Sequence, residues 1–345
     1  MTKTPAVSII IPCYNSASYL PFCLDSIKNQ TISMDKLQII LIDDASTDST
    51  LAILNEFEHA FPEQVLLLPL TQNQGQGYGR NLALEYATGD YILFVDADDT
   101  IAPYAVELLL EKALLCDCDM LEFDFSRQFT PWASLQTASQ TELSLYDITD
   151  ATSRQIFCTS IPKFGIVCNK LYRRNLLIEH NIRFAEHLAH EDTLFSQLAT
   201  FYTKRYAYLP VALYYYRPNP QSTMLQHQTN DYRQFDRLQV QMQFLAECEK
   251  RGLLENYYFA VEAMFIRTYY LDTLLFVLER FANAPLKYLE EMQHTVRTCF
   301  PNFLNNPFLD YQPDTWEKFL LNTIPQPFSE ESFSLLKTQL YPPTN

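Results

Sequence analysis

Over the first hundred positions, the spacing of apolar residues alternates between two patterns. Residues 7–11, 37–42, 65–70 and 91–95 are short, nearly continuous apolar runs, the first rich in β-branched Val7, Ile9, Ile10 and Ile11. Such runs, bounded by turn residues, predict strands covered on both faces. Between them the period lengthens. Leu20, Leu24 and Ile27 share one face of a helix over 18–29, and Leu51, Leu54 and Phe57 share one face of a helix capped by Asp48. A third helix is expected over 78–87, after a glycine-rich loop. Repeated strand–helix units predict an α/β fold with a doubly wound, mainly parallel sheet. Sheets of this kind bind ligands beyond the carboxyl ends of their strands. Three polar constellations fall there, at 12–15, 43–48 and 96–99.

From 120 to 216 the pattern is mixed. A strand is expected at 121–125, a helix at 191–201, and two short strands around Pro210 within 206–216. Beyond 226 glycine almost vanishes and helical spacing dominates, broken late by Pro301, Pro307, Pro313, Pro325 and Pro327. The expected division is therefore a catalytic domain over 1–226 and a helical domain over 227–345.

Asp96-Ala97-Asp98-Asp99 directly follows the apolar run Tyr91-Ile92-Leu93-Phe94-Val95. Three carboxylates at a strand end repel one another unless a divalent cation cancels the charge. Mg²⁺ and Mn²⁺ take hard oxygen ligands and share them with substrate phosphates. A solvated acidic turn that caps the helix starting near Pro103 is the plainer reading. Gly75, Gly77 and Gly79 are three of only six glycines. They imply either a loop wrapping a nucleotide-linked group, with Arg80 near a diphosphate, or a tight turn into a helix. The Asp43–Asp48 segment offers acceptors for a base N–H. His190-Glu191-Asp192 opens a helix, where acidic residues are favoured by the macrodipole or serve as a general base. Tyr214-Tyr215-Tyr216-Arg217, with Ser222-Thr223, either lines a sugar site or packs half-buried. The six histidines show no metal-ligand spacing, though His190 and His227 stay open as additions to a cation site.

Composition narrows the classes. With 345 residues, 48% of them hydrophobic, the chain has ample core for one large domain or two. A net charge of −16 argues against nucleic acid as a partner and against purely electrostatic adhesion to anionic lipid. No signal peptide is evident, and the longest apolar stretches carry charges and fall short of a membrane span. Eight scattered cysteines read as reduced thiols of a cytoplasmic protein.

Taken together, the motifs resemble the family 2 glycosyltransferases of the GT-A fold. The matching pieces are Val7–Asn15, Ile42–Asp48, Asn73–Asn81, Gly89–Asp99, Asn169–Tyr172 and Glu191–Asp192. The resemblance implies an inverting, metal-dependent transfer of a sugar from a nucleotide diphosphate, most often UDP. By that likeness Pro12, Tyr14, Asn15, Asp43 and Asp44 hold the nucleoside, with Gly75, Arg80, Asp96 and Ala97 around the donor. Asp98, with Asp96, would meet Mn²⁺ or Mg²⁺, and Asp192, with Glu191 as the second candidate, would be the base.

The Gln-x-x-Arg-Trp motif of processive synthases is absent, so one sugar at a time is expected. The setting implied is bacterial-type cell-surface polysaccharide synthesis, with a glycan, lipid-linked or protein acceptor. Peripheral contact at the inner face of the membrane fits a lipid-linked acceptor. Residues 227–345 have two open roles, an acceptor-side wall or a self-association surface giving a homo-oligomer. Competing readings are a sugar-phosphate nucleotidyltransferase and a catalytically inactive binding module. The first would carry a Gly-rich, basic loop after the first strand, where this chain has Pro12-Cys13-Tyr14-Asn15-Ser16-Ala17.

Overall fold

The computed structural model describes residues 5–129, 131–160, 165–219, 231–309 and 315–341. The chain forms two compact units. The first comprises Met1–Thr149, Lys163–His187 and Glu191–Asn219, and the second comprises Asp150–Pro162, Leu188–His190 and Pro220–Asn345. The boundary expected at 226 lies outside the described residues. Residues 150–162, expected in the catalytic part, group with the helical unit.

The first unit is built on one nine-stranded sheet. Its strands are β1 (Val7–Cys13), β2 (Leu37–Asp43), β3 (Val65–Pro69), β4 (Tyr91–Phe94), β5 (Thr100–Ile101), β6 (Met120–Ser126), β7 (Ser144–Asp147), β8 (Lys170–Arg173) and β9 (Arg205–Tyr215). The order is β3-β2-β1-β4-β8-β6-β9-β5, with β7 paired to β9. β3, β2, β1 and β4 are parallel neighbours, as are β6 and β9. β8 runs antiparallel between β4 and β6. All seven residues of β1 are buried, which is why it reads as an unbroken apolar run.

β9 departs from expectation. It is one eleven-residue strand, not two short ones. Pairing with β6 shifts register between Phe123↔Leu209 and Asp124↔Ala212, so Pro210 and Val211 have no opposite number. A bulge accommodates a residue that cannot donate to the ladder and lets the strand continue.

Helix Glu191–Tyr202 is buried from Thr193 to Phe201. Phe195 stacks on Phe184 at 4.1 Å between ring centroids and meets Phe94 edge-on at 5.5 Å. This aromatic cluster pins the helix to the end of β4, the strand that runs into the acidic turn.

The second unit is helical in its described residues. Helices Tyr258–Phe265 and Thr273–Arg280 flank a π-helical segment, Ile266–Asp272. Arg267 in that segment donates to Glu317 Oε1 at 2.9 Å and to the Thr159 carbonyl at 2.8 Å. Phe244, Phe265, Tyr270, Leu274 and Met292 are buried in it. Among the described residues no helix is long and apolar enough to cross a membrane.

Candidate active site

The acidic turn leaves β4 as Asp96-Ala97-Asp98-Asp99, and its three carboxylates have different surroundings. Asp99 is 1% exposed, and its carboxylate accepts from Tyr214 Oη at 2.6 Å and from the Arg217 amide at 2.8 Å. Burial, then the charges of Asp96 and Asp98, push its pKa up to about 8 despite those bonds. Tyr214 Oη also accepts from the Asp96 amide at 3.1 Å, so one hydroxyl ties the turn at both ends. Asp98 Oδ2 accepts from Asn219 Nδ2 at 2.9 Å, and Arg217 Nε donates to the Asp98 carbonyl at 3.2 Å. Burial raises the Asp98 pKa; the Asn219 bond opposes this and Asp96 adds to it. Ala97 is buried between them.

Arg80 links this turn to the start of helix Glu191–Tyr202. It lies on helix Gln76–Tyr86 and is 3% exposed. One Nη donates to Glu191 Oε1 at 2.6 Å; the other donates to Asp96 Oδ1 and Gln76 Oε1, both at 2.8 Å. Burial works against its charge, and Asp96 and Glu191 outweigh that and keep it a cation. Its guanidinium also lies 5.3 Å from the Phe184 ring centroid. Arg80 therefore holds carboxylates rather than standing free for a diphosphate.

Asp192 is left without such a partner. Apart from its own backbone N–H, its carboxylate has no hydrogen-bond donor among the described residues. Burial and the neighbouring Glu191 push its pKa up to about 8, with Arg80 pulling the other way and Asp96 adding to the rise. The adjacent pair is thus asymmetric, Glu191 neutralised by arginine and Asp192 not.

Two glycines explain how helix Gln76–Tyr86 comes so close. A Cβ on Gly77 would sit 2.0 Å from the Ala185 carbonyl oxygen and 3.2 Å from Glu191 Cβ. One on Gly79 would sit 3.2 Å from Ile42 Cγ2. Asn81 on the same helix bonds the Phe184 amide and carbonyl at 2.9 and 3.1 Å and Glu186 Oε1 at 2.9 Å. The glycine cluster therefore resolves as a tight turn into a helix. Gly75 alone, at φ +84°, needs the left-handed region.

The loops after β1 and β2 are stitched together. Asn15 Oδ1 accepts from the Thr47 amide at 2.8 Å, the Asn15 amide donates to Ser46 Oγ at 3.0 Å, and the Ala17 amide donates to Asp48 Oδ2 at 3.1 Å. Asp48 Oδ1 also takes the Thr50 amide at 2.9 Å, at the start of helix Thr50–Ala60. Tyr14, just past Pro12 and the end of β1, stands 49% exposed. Asp43 and Asp44 diverge. Asp44 accepts from the Gln74 amide at 2.7 Å and the Gly75 amide at 2.8 Å, which fixes the turn into helix Gln76–Tyr86. Asp43 is buried with Oδ2 on the Ser46 amide and Oδ1 without a partner among the described residues.

Several contributors were invisible as site residues in the sequence. Asn219 and the pairing of Arg217 depend on a strand whose register brings residues over a hundred positions apart together. Tyr214 is buried and supports the turn rather than lining an open surface. Asn169 and Lys170 serve the sheet: the Asn169 amide group donates to the Phe123 carbonyl, and Lys170 Nζ to the Ile166 carbonyl and Asn169 Oδ1. His190 bonds Gln234 within the helical unit. Ser222, Thr223 and His227 lie outside the described residues. All eight cysteines are free, seven of them buried.

The family model for glycosyl transferase family 2 matches residues 8–180. The uncharacterized glycosyltransferase YibD of Escherichia coli is 30% identical over 261 residues, 74% of each chain. This chain belongs to glycosyltransferase family 2. Within the family it is similar to the poly(ribitol-phosphate) beta-glucosyltransferase of Bacillus spizizenii, 31% identical over 224 residues, which cover 61% of this chain but 32% of that relative. The chain also shares its fold with Staphylococcus aureus TarS 1–349, solved in complex with UDP-GlcNAc. That likeness has a TM-score of 0.64 at 22% identity, covering 84% of this chain and 81% of the other. The α/β sheet expected from the strand–helix pattern, of the GT-A type that the resemblance implied, is the fold observed.

Proposed function

We propose that this protein transfers a single sugar from a UDP-sugar to a hydroxyl of a glycan, lipid-linked or protein acceptor, inverting the anomeric carbon. The setting we propose is cell-surface polysaccharide synthesis, on the cytoplasmic side of a membrane met only peripherally. The observation that carries this reading is the asymmetry of Glu191 and Asp192 beside the acidic turn. A general base needs to be unprotonated yet basic enough to take a proton, and a pKa near the working pH serves that best. Asp192, raised to about 8 and unpaired, suits the task. Glu191, ion-paired to Arg80, is a positioning residue.

In the proposed reaction Asp192 accepts the proton of the acceptor hydroxyl. The oxygen forms a bond to the anomeric carbon as that carbon's bond to the diphosphate oxygen breaks, and the bonding electron pair leaves with UDP. The proton on Asp192 then passes to solvent. Asp43 Oδ1, buried and unpartnered, supports acceptance of an N–H from the uracil, and the exposed ring of Tyr14 supports stacking on it. Asn15 and Pro12 shape that loop, and Asp44 and Gly75 fix the turn beside it.

The residues present fit a divalent ion that shares its shell with a diphosphate. Among the described residues no cluster of three or more His, Cys, Asp or Glu is arranged to hold a metal alone. Mg²⁺ and Mn²⁺ sites of this kind use one or two carboxylates plus substrate phosphates. Asp98 and Asp96 would supply those two, since Asn219 and Arg80 each take one oxygen of them, whereas Tyr214 and Arg217 take both oxygens of Asp99. When bound, such an ion would neutralise charge building on the departing diphosphate.

Calorimetry of UDP binding with Mn²⁺ and with EDTA tests the donor reading. UDP affinity is expected to fall about tenfold or more on chelation, and to be similarly weak in Asp98→Ala. Equal UDP affinity in all three samples would remove the metal from the account, and no UDP binding at all would remove the donor.

A further inference from the structure

β6 and β9 end side by side, with Ser126 opposite Tyr215. At these ends lies a cavity of about 260 Å³, whose seven lining residues include Ser126, Gln128, Trp132, Ala212 and Tyr215. Trp132 and Tyr215 are both half-buried. The Tyr104 hydroxyl donates to the Ala133 carbonyl, and the Gln128 backbone amide donates to Ser126 Oγ at 3.2 Å. Phe129 meets the Tyr215 ring edge-on at 5.3 Å.

Contacts through Tyr215 connect the cavity's lining to the acidic turn. The Arg217 guanidinium lies 5.8 Å from the Tyr215 ring centroid, and its Nε donates to the Asp98 carbonyl. Tyr214, the preceding residue, holds Asp99 and the Asp96 amide. The ring that walls the cavity thus packs on the group that fixes the proposed donor-binding turn.

Its chemistry selects a neutral, ring-shaped ligand. Aromatic side chains such as Trp132 and Tyr215 suit the C–H face of a pyranose, and Gln128 and Tyr215 in the lining carry side-chain groups of the kind that bond its hydroxyls. None of the seven lining residues is cationic, so a phosphate would find no counter-charge in the lining itself. The volume falls just below the roughly 300 Å³ at which ligand pockets begin, which suits one sugar ring and not an oligosaccharide. We propose that this cavity is the acceptor subsite and holds one pyranose ring of the acceptor against Trp132. This rests on the sugar-transfer reading above and narrows its acceptor to a pyranose-containing glycan, as against an acyclic polyol.

The chain has two tryptophans, so Trp316→Phe leaves Trp132 as the sole indole reporter. Methyl glucoside, methyl galactoside and methyl N-acetylglucosaminide are titrated while its fluorescence is followed, with ribitol as the acyclic comparison. At least one pyranoside is expected to give a saturable change with a Kd on the order of millimolar, as a ligand of about a dozen heavy atoms allows. Gln128→Ala in the same background is expected to weaken that binding about fivefold. Flat titrations with every pyranoside, or an equal response to ribitol, would overturn the assignment. UDP calorimetry on the same protein keeps the two readings apart: flat titrations with intact UDP binding sink the subsite alone, and lost UDP binding sinks the donor reading.

Discussion

The raised pKa of Asp192 has a consequence for stability. Its unfolded pKa is about 3.9, and burial with Glu191 alongside raises the folded value to about 8. Between those values the folded protein holds a proton that the unfolded chain has lost. Stability from this group is therefore fully present below about pH 4 and is lost as pH rises through about 8. Asp192→Asn removes the charge and with it the loss. The variant is expected to melt about 1–2 °C above the parent at pH 8.5, corresponding to roughly 1 kcal/mol, with the difference vanishing toward pH 4. Scanning calorimetry across that range checks it; a variant less stable than the parent at pH 8.5 would contradict the charge assignment. Such residue-scale detail was only partly legible in the sequence. The acidic turn and the Glu191-Asp192 pair stand out by composition alone. Which carboxylate is paired does not, because Arg80 meets Glu191 across 111 positions and Tyr214 meets Asp99 across 115.

At the scale of elements, the helix Gln76–Tyr86 organises the site. It carries Arg80 and Asn81 against Phe184, Glu186 and Glu191, and Gly77 permits the approach beside Ala185. Gly77→Ala would place a methyl 2.0 Å from the Ala185 oxygen, in backbone that cannot swing aside as a flexible side chain would. It is expected to cost about 1–3 kcal/mol, read as a lower denaturant midpoint. Gly79→Ala, whose methyl meets only the Ile42 side chain at 3.2 Å, is expected to cost less. Equal midpoints for the two would mean that the close approach is not what the glycine serves. The parallel strands β1, β2 and β4 were legible because both faces are covered and the apolar run is continuous, and edge strand β3, only half-buried, was legible from its apolar run alone. β7 was not, since all four of its residues are exposed, and neither was two-residue β5, too short to show a period. Pro210 misled for a physical reason. A proline argues against a continuous strand unless a bulge removes the need for its N–H, and bulges leave no simple mark in sequence.

On the scale of the whole molecule, the alternation of strand and helix up to about residue 100 specified the α/β sheet and the end of it that holds the site. The division into units was harder to see. Helix Ala151–Ser160 groups with the helical unit, where the Thr159 carbonyl takes a bond from Arg267, so the units interleave along the chain. A segment that departs from one unit to join another carries no local signature. The central claim is that the chain transfers sugar from UDP with Asp192 as base. Its most direct test is UDP release from a panel of UDP-sugars in Mn²⁺, comparing the parent with Asp192→Asn and Glu191→Gln, with UDP affinity measured alongside. At least one donor is expected to be turned over. Asp192→Asn is expected to lower kcat by about two to four orders of magnitude with UDP affinity unchanged, and Glu191→Gln to lose less. Near-normal turnover in Asp192→Asn, with the loss falling instead on Glu191→Gln, would contradict the account.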